Sequence, residues 1–231
     1  MKKLFGIIAA LFVTASAFAD GYKGDFQLNF GAGFESMTAE KSVAYGKGTM
    51  GIDTGLFMLN LETWHVFGSS DVFKFGFMAA LNEGLGGTTK WEVNDPVNGK
   101  FVANDEDRFL SYKFELFLAP AFSFFIGDTV RFNVAPGLSI LFADAGSFMY
   151  EGLYGQEASI LGISAVGPGI EIQAKFCPNA HVSPVIGYRF TANFTDSITS
   201  TSTEDSSIST KTCDSVVLLS NTFTLGISWN W

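Results

Sequence analysis

The chain has 231 residues and a formal net charge of −9, with 14 Lys and Arg against 23 Asp and Glu. Nucleic-acid-binding proteins need basic stripes, so this acidity excludes nucleic acid as a partner. Only 16% of the residues are charged, whereas 47% are hydrophobic, and the chain holds 25 Phe and 25 Gly. Such a composition is poor material for a water-facing surface and favours one that faces lipid.

The N-terminus has the layout of a cleaved secretory signal. Two lysines precede an apolar run, and the small-residue site Ala17-Phe18-Ala19 comes directly before Asp20. We therefore predict a signal peptide at residues 1–19 and one mature domain at 20–231. No later stretch has the roughly 18 to 20 consecutive apolar residues that a spanning helix needs, so no helical anchor is expected.

Eight segments alternate apolar and polar residues with the period of two that a strand with one apolar face requires. The first, at 25–34, places Phe26 and Phe30 on one face and Gln27 and Asn29 on the other. The others are bounded by clusters of turn-forming residues. The second segment ends at residue 67. The other six cover residues 72–82, 108–125, 130–142, 159–176, 181–194 and about 215 to the C-terminus.

The connections between these segments alternate in length. Three are tight turns, at 68–71, 126–129 and 177–180, and four are long, near 36–48, 83–107, 143–157 and 195–214. Short turns at one end and long loops at the other are typical of outer-membrane barrels. The sequence thus predicts an all-β fold, an eight-stranded antiparallel up-and-down transmembrane β-barrel with extracellular long loops.

A soluble up-and-down barrel would have the same number of strands but would turn its aromatic face inward. Here the less apolar face carries mainly small residues, such as Gly31, Ala135, Gly167 and Gly187. Small residues suit a narrow lumen, because about eight strands leave only enough interior for side chains to fill it. They do not suit a solvated exterior, so the membrane barrel is favoured.

The C-terminal segment TLGISWNW resembles the insertion signal of outer-membrane barrels at Thr224, Gly226, Trp229 and Trp231. The last residue of that signal is usually Phe, so Trp231 departs from it. The resemblance implies that the barrel-assembly machinery reads this segment. The mature chain as a whole resembles the small OmpX-, OmpW- and OmpA-type barrels in its plan, without diagnostic motifs.

Charged residues occur on the polar face, which the alternation turns into the lumen. Because unpaired charges in a narrow interior are costly, we expect them to form ion pairs. Counting from the turns, Lys74, Arg131 and Lys175 would form a basic ring at the periplasmic mouth. The predicted ion-pair cluster contains Glu62, Lys74, Lys113, Glu115, Arg131, Glu171, Lys175 and Arg189.

Apolar side chains follow on the same face, nearer the outer end. Two interpretations remain open for them. One is a packed barrel core that holds no ligand. The other, which the resemblance to OmpW-like barrels implies, is an apolar pocket for small molecules above a charged floor. The candidate pocket residues are Met78, Phe117, Leu141, Leu161 and Ile163.

Nothing in the sequence indicates catalysis, a metal site or a cofactor. His65 and His181 both adjoin short turns, far from the outer rim where a catalytic histidine is expected, and no GxSxG motif or zinc-ligand cluster occurs. Cys177 falls in a short turn and Cys213 near the opposite end. A disulfide needs Cα atoms within about 7 Å, so both cysteines are predicted to be free.

Four predicted strands contain a proline, which removes a donor from the strand ladder. Pro120, Pro136, Pro168 and Pro184 indicate either a duplicated hairpin or bulges that bend the strands. Bulges would reverse the assignment of inward and outward residues beyond each proline.

Two functions from different classes remain open. The first is a narrow channel or uptake barrel for small apolar solutes. The second is a structural or adhesive surface barrel with a closed lumen plugged by ion pairs. The expected location is the bacterial outer membrane, and the expected partners are its lipid, the barrel-assembly machinery and a small apolar solute.

Overall fold

The computed structural model describes residues 23–97, 99–102, 110–152, 155–202 and 208–230. The predicted signal peptide and Trp231 lie outside these ranges. Within them, no helix has the length and apolar composition needed to cross a membrane. The strands are β1 (Lys23–Val43), β2 (Gly46–Phe67), β3 (Phe73–Asp95), β4 (Gly99–Val102), β5 (Leu110–Ile126), β6 (Val130–Gly152), β7 (Gly155–Phe176), β8 (Val182–Ser202) and β9 (Ile208–Asn230).

The eight long strands form a closed antiparallel barrel. Each pairs with its neighbours along the chain, and β1 pairs with β9 to close the sheet. The short strand β4 pairs only with the end of β3. The predicted all-β fold with eight antiparallel strands is confirmed. The closing ladder from Asp25–Asn230 to Glu40–Ser215 also holds the last strand on both edges.

The strands are longer than the sequence pattern predicts. The eight barrel strands have 17 to 23 residues, whereas about 9 to 11 residues suffice to cross a bilayer. The prediction of long loops is therefore largely wrong, because strands continue through most of 36–48, 83–107, 143–157 and 195–214. In the first hairpin, for example, only residues 44–45 separate β1 from β2.

The apolar side of the sheet changes along β1. Near the three short turns, hereafter the short-turn end, β1 turns Gln27 inward and Phe30 outward. Toward the opposite, hairpin end, the same strand buries Met37 and exposes Thr38. The inward and outward positions keep their alternation, but their polarity is exchanged. A pattern search that expects one apolar face ends the strand at this inversion, which explains the missed strand extensions.

Four ladders shift register at about the height of this inversion. The shifts fall at Asp53/Thr54, Asp144/Ser147, Gly162/Val166 and Thr195/Ser197, each about 13 or 14 residues from the short-turn end of its strand. A bulge adds a residue to one strand and increases its local twist. On β3 the extra residue lies between Thr88 and Lys90, and it exchanges the inward and outward positions beyond it.

None of these shifts coincides with a proline. The β5–β6 ladder has the same register on both sides of Pro120 and Pro136, from Leu118–Leu138 to Phe122–Val134. Pro168 likewise lies within an unshifted part of the β6–β7 ladder. The bulge interpretation is therefore wrong at the prolines, and the assignment of inward residues below the inversion holds.

Glycines in the closing ladder allow β1 and β9 to approach closely. A Cβ atom on Gly226 would lie 1.9 Å from Asn29 Oδ1 and 2.4 Å from the carbonyl oxygen of Leu28. A Cβ atom on Gly31 would lie 1.8 Å from the carbonyl oxygen of Phe223. Larger residues at these positions would push the two strands apart.

Candidate functional site in the barrel lumen

The lowest layer of the lumen is an ion pair that crosses the barrel. Arg131 donates from Nη2 to Asp25 Oδ2 at 2.5 Å, and Lys175 donates from Nζ to the same oxygen at 3.0 Å. All three residues are buried. Because β1 and β6 lie four strands apart in the eight-stranded barrel, the Asp25–Arg131 pair spans the diameter of the lumen.

Side-chain amides form the next layer. Gln27 and Gln173 exchange hydrogen bonds, with Nε2 to Oε1 distances of 3.0 and 2.7 Å, and Asn133 donates to Gln173 Oε1 at 2.9 Å. Gln173 also donates to Glu62 Oε2 at 3.2 Å. The strands of Gln173 and Glu62, β7 and β2, are again opposite each other, so this layer also crosses the lumen.

Arg189 lies at the centre of the third layer. Its Nε donates to Glu171 Oε2 at 2.6 Å, and its Nη2 donates to Glu62 Oε1 at 3.0 Å. Its guanidinium carbon lies 5.0 Å from the ring centroid of Phe117, which places the cation over an aromatic face. Glu171 and Arg189 are directly paired in the β7–β8 ladder, so the height predicted for this pair matches the register.

Lys113 joins the fourth layer. Its Nζ lies 2.7 Å from Glu35 Oε1 and 3.7 Å from Glu115 Oε2. It also donates to Ser220 Oγ at 2.6 Å, which links the opposite strands β5 and β9. Glu115 accepts a further hydrogen bond from Ser139 Oγ at 2.5 Å. Buried charges are retained at low cost only when such partners satisfy them.

The structure brings seven of the eight predicted cluster residues into this stack. They are Glu62, Lys113, Glu115, Arg131, Glu171, Lys175 and Arg189. Lys74 is buried at the short-turn mouth and donates to the Gly68 carbonyl at 2.6 Å. The expected basic ring of Lys74, Arg131 and Lys175 is thus organised differently, since Arg131 and Lys175 converge on an acid.

Sequence reasoning missed two of the acids. Asp25 holds the lowest pair, and Glu35 binds Lys113 in the highest layer. Both lie on the inward side of β1, in alternation with Gln27 and Asn29. The alternation could have placed them, but Asp25 is the first and Glu35 follows the last residue of the predicted segment. With them included, the stack holds five acids and four bases, and Lys74 at the short-turn mouth is a fifth base.

The five predicted pocket residues do not lie together. Leu141 and Ile163 belong to an apolar cluster in the hairpin half, whereas Met78 and Phe117 pack with Trp64 in the short-turn half. The side chain of Leu161 lies outside the described residues. A cavity beside Met37, Ile52 and Leu218 in the upper cluster has a volume of only about 10 Å³, about the space for one water.

The histidines and cysteines lie apart from this stack. His65 stacks on Phe77, with ring centroids 4.8 Å apart, and its Nε2 lies 2.7 Å from Thr63 Oγ1. His181 is exposed between β7 and β8. Cys177 and Cys213 are both free, as predicted. Among the described residues, no group of three or more His, Cys, Asp or Glu is arranged to hold a metal ion.

Three residues of the predicted insertion signal, Thr224, Gly226 and Trp229, lie in the closing ladder. Thr224 faces the lumen opposite Gly31, and Trp229 stacks on Phe26 at 6.1 Å. Asn230, between the two terminal tryptophans, donates to the Pro178 carbonyl at 3.2 Å and accepts a hydrogen bond from Lys175. The last strand is thus bound to the turn between β7 and β8 as well as to its neighbours.

Known structures share this fold at low sequence identity. No protein-family model and no curated protein sequence matches the chain. A major outer membrane protein from Thermus thermophilus is 14% identical with a TM-score of 0.54, over 90% of this chain and 99% of that one. OprG from Pseudomonas aeruginosa is 10% identical with a TM-score of 0.53, over 90% and 96%.

A third similar structure is the outer membrane protease OmpT from Escherichia coli. It is 7% identical with a TM-score of 0.51, over 93% of this chain and 98% of that one. At these identities the likeness concerns the fold alone. This chain therefore has the closed antiparallel barrel fold found in bacterial outer-membrane proteins.

Proposed function

We propose that the chain is an integral outer-membrane barrel with a closed lumen, which supports a structural or adhesive surface formed by its hairpin half. One observation carries this proposal: polar contacts join opposite strands at three heights. They are the pairs Asp25–Arg131, Glu62–Gln173 and Lys113–Ser220. A solute that follows the axis would have to break all three layers.

The outer surface of the barrel supports a membrane location. Outward side chains of the short-turn half are large, apolar and exposed, such as Phe30 at 46%, Phe57 at 61% and Phe223 at 55%. A contiguous apolar surface of this kind needs a lipid or protein partner. Beyond Phe34 the outward residues of β1 become polar, so the apolar band has about the length that a bilayer requires.

The connections support one orientation in the membrane. Outer-membrane barrels have short periplasmic turns and longer extracellular segments. The short-turn end would therefore face the periplasm, and the long hairpins would extend outside the cell. Assembly would depend on TLGISWNW at residues 224–231, read by the barrel-assembly machinery. We propose no catalytic role, because both histidines lie at the short-turn end.

Uptake of small apolar solutes is the second candidate. The apolar cluster of the hairpin half favours it, together with an interruption of the β7–β8 ladder at the same height. Pairing stops between Gly162–Thr199 and Val166–Phe194, next to the buried Ile163. A solute could leave sideways there, provided that the packed cluster separates.

Conductance in planar bilayers tests the closed lumen. We expect no steady ion conductance from the wild-type barrel. Asp25→Lys should produce it, because three cations would then meet where one acid now holds Arg131 and Lys175. Lys47→Glu, a charge reversal at an exposed position on β2, is the matched control and should stay closed. Steady conductance of the wild type would refute the closed lumen.

Location is tested separately. The protein should fractionate with outer membranes and change its gel mobility on heating, as closed barrels do. Recovery as a soluble periplasmic species would contradict the membrane assignment. Deletion of residues 228–231 should prevent accumulation in the membrane, because it removes Asn230 and part of the closing ladder. Normal levels of this truncated chain would contradict the role of the segment as an insertion signal.

A further inference from the structure

Outward positions of β1, β2 and β3 form a three-by-three grid just above the apolar band. Gly51 is at its centre, paired with Thr38 on β1 and with Glu92 on β3. The rung below joins Ser36, Asp53 and Lys90, and the rung above joins Glu40, Thr49 and Asn94. All eight neighbours of the glycine therefore carry polar side chains.

A groove of about 280 Å³ lies on this grid. Its lining includes Gly51 and polar residues from all three strands. Neighbouring strands are about 4.8 Å apart, so the grid is about 10 Å wide, and residues two apart along a strand are separated by about 7 Å. The polar residues that line the groove are Ser36, Thr38, Thr49, Asp53, Lys90 and Glu92.

The fold itself does not require glycine at position 51. A Cβ atom there would find no atom nearer than the Met37 carbonyl oxygen at 3.9 Å, and Gly51 is not among the glycines with positive φ. By contrast, a Cβ atom on Gly76 would lie 1.8 Å from the His65 carbonyl oxygen. Glycine weakens a strand interior and often marks a place where a ligand approaches closely. The missing side chain keeps the groove open.

The charges on the grid are largely paired. Glu92 lies 2.9 Å from Lys100 and 3.4 Å from Lys90, and Glu40 pairs with Lys47. Among the described residues, the Asp53 carboxylate has no hydrogen-bond or ion-pair partner. A single unpaired carboxylate provides too few oxygens for calcium, which takes six to eight, and it repels phosphate.

We propose that this groove binds a carbohydrate. Sugar hydroxyls both donate and accept hydrogen bonds, which matches an unpaired carboxylate beside Ser36 and the hydroxyls of Thr38 and Thr49 farther along the groove. The register shift at Asp53/Thr54 occurs at the edge of the groove, and bulges often re-aim side chains at sites. This assignment deepens the proposed surface role by naming the class of molecule recognised.

The position of the groove allows two sources of the sugar. Phe34, 59% exposed, is the last apolar outward residue of β1 before Ser36, and Ser36 pairs with the exposed Leu219 of β9. The groove thus begins one residue pair above the apolar band. A sugar there could belong to a lipid of the outer leaflet or to a free glycan.

Titration of the folded, full chain in phosphatidylcholine nanodiscs tests the proposal. One arm uses intact lipopolysaccharide, and the other uses its deacylated, soluble saccharide, both in 0.5 M salt to weaken charge effects. Gly51→Phe should fill the groove without a backbone clash. Gly55→Phe is the matched control, because Gly55 is also outward on β2 and its Cβ would meet Thr89 at an ordinary 3.6 Å.

We expect Gly51→Phe to weaken binding at least tenfold and Gly55→Phe to change it less than twofold. Asp53→Asn should weaken binding severalfold. Binding of the soluble saccharide would show that the sugar suffices, and binding of the intact lipid alone would identify a lipid-linked sugar. No saturable binding in either arm, or equal binding by Gly51→Phe and wild type, would overturn the proposal. Conductance and heat modifiability report the closed lumen and the membrane fold independently of these titrations.

Discussion

The two halves of the barrel differ in which side of the sheet is apolar. In the short-turn half, Gln27, Glu62 and Arg131 are buried in the lumen while Phe30 and Phe223 are exposed. In the hairpin half, the lumen buries apolar side chains and the outer face is polar. With the membrane placement proposed above, the same strands would meet lipid over one part and water over the other. The inversion of polarity would then mark the boundary between the two.

The difference also determines what each half needs to be stable. The lower lumen is removed from water, so each charge in it is stabilised by an oppositely charged partner. Removal of one member of a pair leaves the other buried without compensation, and its desolvation then lowers the stability of the barrel. The upper lumen is an ordinary apolar core of Met37, Ile52, Leu141 and Leu218, whose stability depends on packing. Substitutions should therefore have different signatures in the two halves.

Removal of Arg189 should have the largest effect. Arg189→Ala leaves Glu62 and Glu171 buried without their shared cation, at a cost of about 3 to 5 kcal/mol in the free energy of unfolding. Urea unfolding in detergent or bilayers measures this loss. Water entering the lumen would reduce it.

A double-mutant cycle supplies the control. Glu171→Ala combined with Arg189→Ala should recover part of the stability, because one uncompensated carboxylate is removed with its partner. Adding Glu62→Gln should recover more. Strictly additive losses would show that these charges do not act as a unit.

Truncation in the upper core should show no such rescue. Leu141→Ala removes a fully buried side chain, so the free energy of unfolding should fall by about 2 to 5 kcal/mol. Leu138→Ala on the same strand is the matched control, since Leu138 is outward and 48% exposed. A loss at Leu138 as large as that at Leu141 would contradict a packed upper core.

Lysine scanning of the outer face of β1 should locate the boundary. Phe30→Lys places a charge in the apolar band and should cost about 2 to 4 kcal/mol, whereas Thr38→Lys lies above it and should cost about 0 to 1 kcal/mol. Unfolding in lipid vesicles measures both. Equal costs would mean that the polarity inversion does not mark the membrane surface.

The sequence predicts the short-turn half far better than the hairpin half. Alternation from Phe26 to Phe34 has a single phase. Counting from the turn at 177–180 likewise places Glu171 and Arg189 at the same height on adjacent strands, as the register shows. Beyond Phe34 the phase of polarity reverses, and on β3 the residue between Thr88 and Lys90 also reverses the inward side. A search for one apolar face therefore fails to extend the strands beyond the reversal of polarity, and on β3 the extra residue adds a second reversal.

Contacts between distant strands could not be predicted at all. Lys113 and Ser220 are 107 positions apart, and their meeting depends on barrel closure and on the stagger of all the intervening strands. The alternation gives the side of each residue and its approximate height. It does not identify the partner across the lumen, so it places Asp25 on the inward side of β1 but does not pair it with Arg131.

The smallest expected effect is a pH response confined to the hairpin half. The Asp214 carboxylate accepts hydrogen bonds from the hydroxyl of Ser42 at 2.5 Å and from its backbone N–H at 2.7 Å. These bonds lower the pKa of Asp214 below its usual value of 3.8. A lowered folded-state pKa means that the stabilisation is present above pH 3.8 and is lost as the pH falls through the folded value.

Protection of the Ser42 amide against hydrogen exchange should therefore decrease below about pH 4. Asp214→Asn should remove this dependence while leaving amides near Phe30 equally protected, and a pH-independent Ser42 amide in the wild type would contradict the contact.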